Sequence, residues 1–366
     1  MELGIIGLPQ SGKTTVFNAL TKGHAETGAH ASGTLVPNIG VVKVPDPRLE
    51  ALTDILKPKR TTPAEVRYVD VAGAAKGLSK GKGLEGELLA FMSKVDTLIL
   101  VVRAFPDEMV PHIEGSVDPE RDIDNMNLEL AFSDLALIEK RLERLDTSLK
   151  GTKPQERETG LREKALLARI SANLEKDIPL REQALTEEEA KTIANYQFLT
   201  AKPLLVLINV GEGQLNEIAS LEGMLRARYE RPHLRIAALC GKLEMELGQL
   251  DDADAQEFRS AMNIVESSLD RVIRLSYELL GFISFFTIAS NEVRAWTISQ
   301  VTTALKAAGK VHTDMEKGFI RAEAIGYDDL TRCGSLAEAR KRGLLRLEGK
   351  SYIVKDGDVI TFLFNI

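Results

Sequence analysis

Short apolar runs punctuate the first two-thirds of the chain, at 3–7 (LGIIG), 66–71 (VRYVDV), 97–102 (TLILVV), 204–209 (LLVLIN) and 234–239 (LRIAAL). Each is too short for a buried helix and is followed by polar or glycine-rich sequence, the pattern of a buried strand. Helical segments separate the runs. Strands alternating with helices predict an α/β fold whose sheet is mostly parallel and covered on both faces.

The alternation breaks between about 120 and 198, where the sequence carries no strand signal. Leu128, Ala131, Leu135, Ile138, Leu142, Leu145 and Leu149 recur at alternating spacings of three and four, flanked by the charged run 139–144. That is an a/d seam on a long helix. Gly151–Pro154 interrupts it, a second helical stretch follows at 161–177, and Thr186 with Glu187–Glu189 caps a third helix running toward Leu199. The pattern predicts a helical arm inserted between the strands at 97–102 and 204–209. Its seam either closes on its own return helix or serves another protein.

Apolar alternation resumes in the last 85 or so residues, at 283–288, 293–298, 319–325, 351–354 and 359–364, with a tight turn at Asp356-Gly357-Asp358. This reads as a small mixed β module. The expected division is therefore 1–119 with 200–280 as the α/β domain, 120–199 as the arm, and 281–366 as the C-terminal module.

Charge and cysteine content narrow the setting. The 366 residues carry a net charge of −7, and the tail alone is about +2, so the whole chain is not a general polyanion binder and any nucleic-acid contact is local. Cys240 and Cys333 are far apart with no neighbouring cysteine, which fits a reducing, cytoplasmic compartment and no disulfide framework. No run is long and apolar enough to span a membrane, and the first residues read as a strand rather than a signal peptide.

The chemistry begins at residues 7–14, GLPQSGKT, which match GxxxxGK[ST] between a strand and an amphipathic helix. Pro9, Gln10, Ser11, Gly12, Lys13, Thr14 and Thr15 are the expected phosphate-loop contacts. Backbone N–H groups turn inward around the phosphates, the helix N-terminus adds its dipole, Lys13 supplies a point charge, and the Thr14 hydroxyl ligates Mg2+. Asp70, ending the strand at 66–71, is the second magnesium candidate, and Gly73 offers a backbone N–H to the γ-phosphate. Thr34 is the candidate for a further hydroxyl on the metal. The loop from 73 to 86 carries Lys76, Lys80 and Lys82, either as solvated charges or as a surface for an anionic partner.

Asn209-Val210-Gly211-Glu212 closes the strand at 204–209. GTP-specific proteins of this type place Asn-Lys-x-Asp there, with the aspartate accepting from guanine. Here Val210 replaces the lysine and Glu212 carries the acid one methylene further out. Adenine presents an acceptor that repels a carboxylate, so Glu212 is expected to turn away while Asn209 and backbone groups serve the adenine amino group; a relaxed GTPase is the alternative. Ala74 stands where a water-orienting glutamine would follow DxxG, so hydrolysis is expected to be slow. Of the histidines, His112 is the catalytic candidate.

Together these residues resemble the Obg-like ATPase family, also called YchF. The resemblance runs through GLPQSGKTTVFNALT (7–21), PNIGVVKVPDPRL (37–49), DVAGAAKGLSKGKGLEGELL (70–89), HIEGSVDPERDI (112–123), NVGE (209–212), FFTIASNEVRAWTI (285–298), AAGKVHTDMEKGFIRAE (307–323) and EGKSYIVKDGD (348–358). It implies a P-loop NTPase G domain, a coiled-coil arm and a C-terminal TGS domain of β-grasp fold. It also implies ATP rather than GTP as substrate, and association with the ribosome through the arm and TGS domain. Cys240 and Gly241, beside Lys242, match the family's base-proximal loop, and His112 its histidine before the arm. Gln10-Ser11, Ala74, Cys240-Gly241, Val301 and Leu305 depart from the usual pattern. A nucleotide-driven switch is the leading expectation, and an ATP-holding adaptor that does not cycle the rival.

Overall fold

The computed structural model describes residues 1–23, 37–71, 78–79, 83–84, 86–149, 154–261, 267–289 and 291–365. Along the chain the strands are β1 (Glu2–Ile6), β2 (Pro37–Lys43), β3 (Arg60–Thr62), β4 (Glu65–Val71), β5 (Leu78–Ser79), β6 (Gly83–Leu84), β7 (Thr97–Arg103), β8 (Leu204–Asn209), β9 (Leu234–Leu239), β10 (Phe282–Ala289), β11 (Glu292–Ser299), β12 (Phe319–Gly326), β13 (Arg346–Glu348) and β14 (Asp358–Phe364). No helix among the described residues is long and apolar enough to cross a membrane.

The chain divides into two compact units, Met1–Val41 with Arg67–Leu269, and Val42–Val66 with Asp270–Ile366. In the first, the sheet order is β2-β4-β1-β7-β8-β9, and β4, β1, β7, β8 and β9 are joined by parallel pairings. β7 and β8 are buried along their whole length. That is why their sequences are unbroken apolar runs rather than alternating ones. Parallel pairing also brings the C-terminal ends of β1, β4 and β8 to one edge of the sheet, where an open α/β fold binds its ligand.

The arm hangs from β7. Its long helix, Pro119–Ser148, starts with Asp118 accepting from the Arg121 N–H at 3.1 Å and with proline in the first turn. Ala131, Ile138 and Leu145 pack against Leu166, Leu167 and Ile170 of the return helix Pro154–Leu174. The heptad seam therefore closes on its own hairpin. Arg141 clamps Glu163 of the return helix with two hydrogen bonds of 2.8 and 2.9 Å, and the Tyr196 hydroxyl donates to the same carboxylate. At the root, buried Asp134 accepts from Leu199 N–H, Thr200 N–H and the Thr200 hydroxyl at 2.6–2.8 Å. The third helix is shorter than the sequence predicts. The capping box at Thr186 opens it, but it ends at Ile193, and short 3-10 turns and left-handed Gln197 lead on to Leu199.

The second unit holds a sheet in the order β13-β12-β14-β10-β11-β3. Its core is Phe285, Ile298, Ala307, Phe319, Ala324, Ile360 and their neighbours. Residues 351–354, expected as a strand, make only an isolated bridge from Ile353 to Thr303. The unit boundaries also differ from the expected division. Residues 42–66 belong here because β3 pairs in parallel with β11, adding an edge strand to the C-terminal sheet. Arg48, beside Asp46, reaches Asp356 at 2.7 Å and lies over the Phe286 ring.

Candidate functional site

The loop from β1 to the helix Lys13–Thr21 is shaped by two glycines with positive φ. Gly7 has φ +148°, and an added Cβ would lie 2.3 Å from the Val101 carbonyl oxygen. Gly12 has φ +90°, and its Cβ would lie 2.2 Å from the Asn209 amide nitrogen. Only glycine fits either position. Lys13 Nζ donates to the carbonyls of Gly7 and Leu8 at 3.0 and 2.8 Å, folding the lysine across the loop. Burial pushes its ammonium down to about 8, with the charge of Asp70 opposing the shift.

Thr14 Oγ1 donates to Asp70 Oδ2 at 2.9 Å. Asp70 is buried, and burial raises its carboxyl above the usual range against the Thr14 hydroxyl, the Lys13 charge and, least, the Asn38 side chain. Among the described residues Asp70 Oδ1 and Ser11 Oγ have no hydrogen-bond partner. Orphaned buried oxygens are costly in a closed core. One hydroxyl and one carboxylate with a spare oxygen are the partial protein donor set that Mg2+ takes when phosphates and water complete its shell. The described residues contain no group of three or more His, Cys, Asp or Glu side chains able to hold a metal alone. Thr34 and Gly73 lie outside the described residues, as does most of the segment from 73 to 86.

Asn209, at the C-terminal end of β8, is buried and used at both ends. Its Nδ2 donates to the Ser11 carbonyl at 3.0 Å, and its Oδ1 accepts from the Gly241 N–H at 3.0 Å. The asparagine thus staples the phosphate loop to the loop after β9. In this arrangement the amide's partners among the described residues are protein backbone. Beside it lies a cavity of about 510 Å³ that includes Thr15, Phe105, Val210, Glu212, Cys240 and Met245 in its lining. Burial pushes the Cys240 thiol up, leaving it a neutral wall. Pro9 and Gln10 form the outer turn of the loop, Gln10 in a left-handed conformation with φ 63°.

Several residues of this site escaped the sequence reading. Phe105 supplies an aromatic wall. Arg103, fully buried, lies 4.5 Å from its ring and donates to the carbonyls of Phe105 at 3.0 Å and Asp107 at 3.4 Å. Gln214 brackets the other side, accepting from Gly211 N–H at 2.9 Å and donating to the Ala104 carbonyl at 3.1 Å. The available signal was Arg-Ala-Phe-Pro-Asp directly after an apolar strand.

Among the described residues, the partners of His112 lie at the root of the arm. Its Nε2 lies 2.8 Å from Asp122, in the first turn of the arm helix, and its Nδ1 accepts from the Glu114 N–H at 3.1 Å. The ring and the Asp122 side chain are almost fully buried, and Arg121 reaches Asp122 at 2.8 Å. With Nδ1 accepting, the ring proton sits on Nε2, facing Asp122. The expected catalytic histidine is, in this geometry, a pin at the root of the arm.

Comparison with known proteins agrees with this architecture. Residues 2–138 match a family model described as a 50S ribosome-binding GTPase, and residues 282–365 one named YchF-GTPase_C and described as a protein of unknown function. The chain is 40% identical over 368 residues to the Ribosome-binding ATPase YchF of Bacillus subtilis, covering all of both chains. It is 42% identical over 375 residues to the protein of the same name from Haemophilus influenzae, covering 100% of this chain and 99% of that one. A solved structure titled as the Schizosaccharomyces pombe YchF GTPase superposes with a TM-score of 0.85 at 32% identity, covering 99% of this chain and 97% of that one. With identity at this level from end to end, the chain belongs to the YchF family.

Proposed function

We propose that this chain is a cytoplasmic, ribosome-associated ATPase that prefers ATP to GTP and turns it over slowly. The relatives' printed names supply the ribosome and the ATP. The observation that carries the base preference is the cavity beside Asn209. Its wall is apolar at Phe105, Val210 and Met245, and the acid at the guanine-reading position is Glu212 rather than aspartate. Asp107, which also lines it, turns its carboxylate to the Met109 N–H at 2.9 Å.

In this reading backbone N–H groups of residues 10–15 and the Lys13 ammonium hold the phosphates, with Gly73 adding an N–H at the γ-phosphate. Thr14, Asp70 and Thr34 hold Mg2+, which neutralises phosphate charge when bound. Val210, Cys240 and Gly241 border the base. A competition titration with ADP and GDP tests the preference: ADP binding at least tenfold tighter supports it, and equal binding or a GDP preference overturns it.

The engagement of His112 on both nitrogens favours a second reading, an adaptor that holds ATP without cycling. Single-turnover hydrolysis separates the two. Loss of rate in His112→Ala, with ADP affinity retained, supports the switch, whereas no further loss supports the adaptor. Ribosome contact through the arm and C-terminal module is tested by co-sedimentation of the intact chain with and without residues 119–174.

A further inference from the structure

Two opposite charges meet at the edge of the base cavity. Lys242 Nζ lies 2.9 Å from Glu212 and 3.9 Å from Glu246. The meeting is built by the staple already described. Asn209 holds the Gly241 N–H, so Lys242 follows the clamp by one residue and Glu212 by three. Both side chains line the same cavity.

The pair is more than half exposed, so it adds little to folding stability. Its position gives it another consequence. Guanine presents two donors on the edge where an acid normally reads it, and adenine presents an acceptor there. A free carboxylate at this edge therefore rewards guanine and repels adenine, while one engaged by an ammonium does neither.

We propose that Lys242 is a specificity-determining residue: by engaging Glu212 it withdraws the acid from the guanine edge and leaves the cavity suited to adenine. The inference rests on the ATP preference proposed above and names the group that enforces it. The hydrogen bond to Glu212, and then its charge, raises the Lys242 ammonium above its ordinary value.

The test is equilibrium titration of the intact chain with ADP, GDP and inosine diphosphate, in the wild type and in Lys242→Ala, Lys242→Arg, Glu212→Gln and the double variant Lys242→Ala with Glu212→Gln. Lys242→Ala should raise the affinity ratio of GDP to ADP about tenfold. Inosine diphosphate, lacking the guanine amino group, should gain less. Adding Glu212→Gln should erase the gain, which excludes the freed Glu246 as its source, and Lys242→Arg should keep the wild-type ratio. Melting temperatures confirm that every variant is folded.

A ratio in Lys242→Ala within twofold of wild type overturns the role of Lys242 while the ATP reading stands. A gain that survives Glu212→Gln also overturns it. A wild type that prefers GDP overturns the ATP reading itself, and this inference with it.

Discussion

Replacing Asn209 by alanine removes two hydrogen bonds of 3.0 Å at once and strands the Ser11 carbonyl and the Gly241 N–H, both at a buried junction. A buried backbone group left unsatisfied costs about 1–3 kcal/mol. Two such groups, partly rescued by water entering the space, give a loss of about 3 kcal/mol. For a unit of this size each kcal/mol lowers the melting temperature by roughly 2–4 °C, so the expected fall is about 6–12 °C. Calorimetry on the intact chain reads it, and the relevant transition is the one that ADP shifts upward.

Asn209→Asp separates the two halves of the staple. It keeps an acceptor for Gly241 but faces a carboxylate oxygen against the Ser11 carbonyl, so it should be no more stable than the alanine variant. Both should weaken ADP binding at least tenfold, because the phosphate loop loses its brace against the base-side loop. An alanine variant that melts within 2 °C of wild type and binds ADP within twofold would refute the staple.

Further outcomes are expected elsewhere. Lys13 titrates at about 8 when folded and at its ordinary 10.5 when unfolded, so its burial penalty is fully present below 8 and relaxes as pH rises toward 10.5. Bound phosphates restore the proton, so ADP affinity should fall above pH 8 with net proton uptake in calorimetry; a flat profile, or one unchanged in Lys13→Arg, contradicts this. Phe105→Ala should weaken ADP binding about tenfold while leaving pyrophosphate binding within twofold, and equal losses for both ligands would show that the ring does not meet the base. Leu167→Ala, a fully buried position in the arm, should cost about 2–4 kcal/mol and raise hydrogen exchange across 119–174 with ADP affinity unchanged. Exchange that rises equally in β1 and β7 would mean the arm is not a separately opening element.

The parts legible in the sequence are those whose physics is local. Uninterrupted apolar runs announced β7 and β8 because each is buried on both faces, and the glycine-lysine loop announced itself because its backbone needs those residues. The heptad was legible too, although its partner was settled only by Leu166, Leu167 and Ile170 closing over it. What escaped depends on distant partners. β3 is three residues, Arg60–Thr62, with no periodicity, and becomes a strand only because β11 lies beside it. Arg103 looks like the charged end of a strand, yet it is buried, with Nε and Nη2 donating to carbonyls two and four residues later. Tyr352 sits in a stretch that reads as β-forming, but its hydroxyl reaches Asp358, and the segment is a connection.

The placement of residues 42–66 has a practical consequence for anyone dissecting this chain. Scissors applied near residue 280, where composition changes, would not free an intact C-terminal module. They would leave its sheet without the β3 edge and strip the packing from Leu49 and Leu52, both buried. The front fragment, meanwhile, would carry an orphaned helix and strand between β2 and β4. A tail deletion is thus also an injury to the segment that leads into Asp70, and lost nucleotide turnover in such a deletion would not by itself assign any role to the tail.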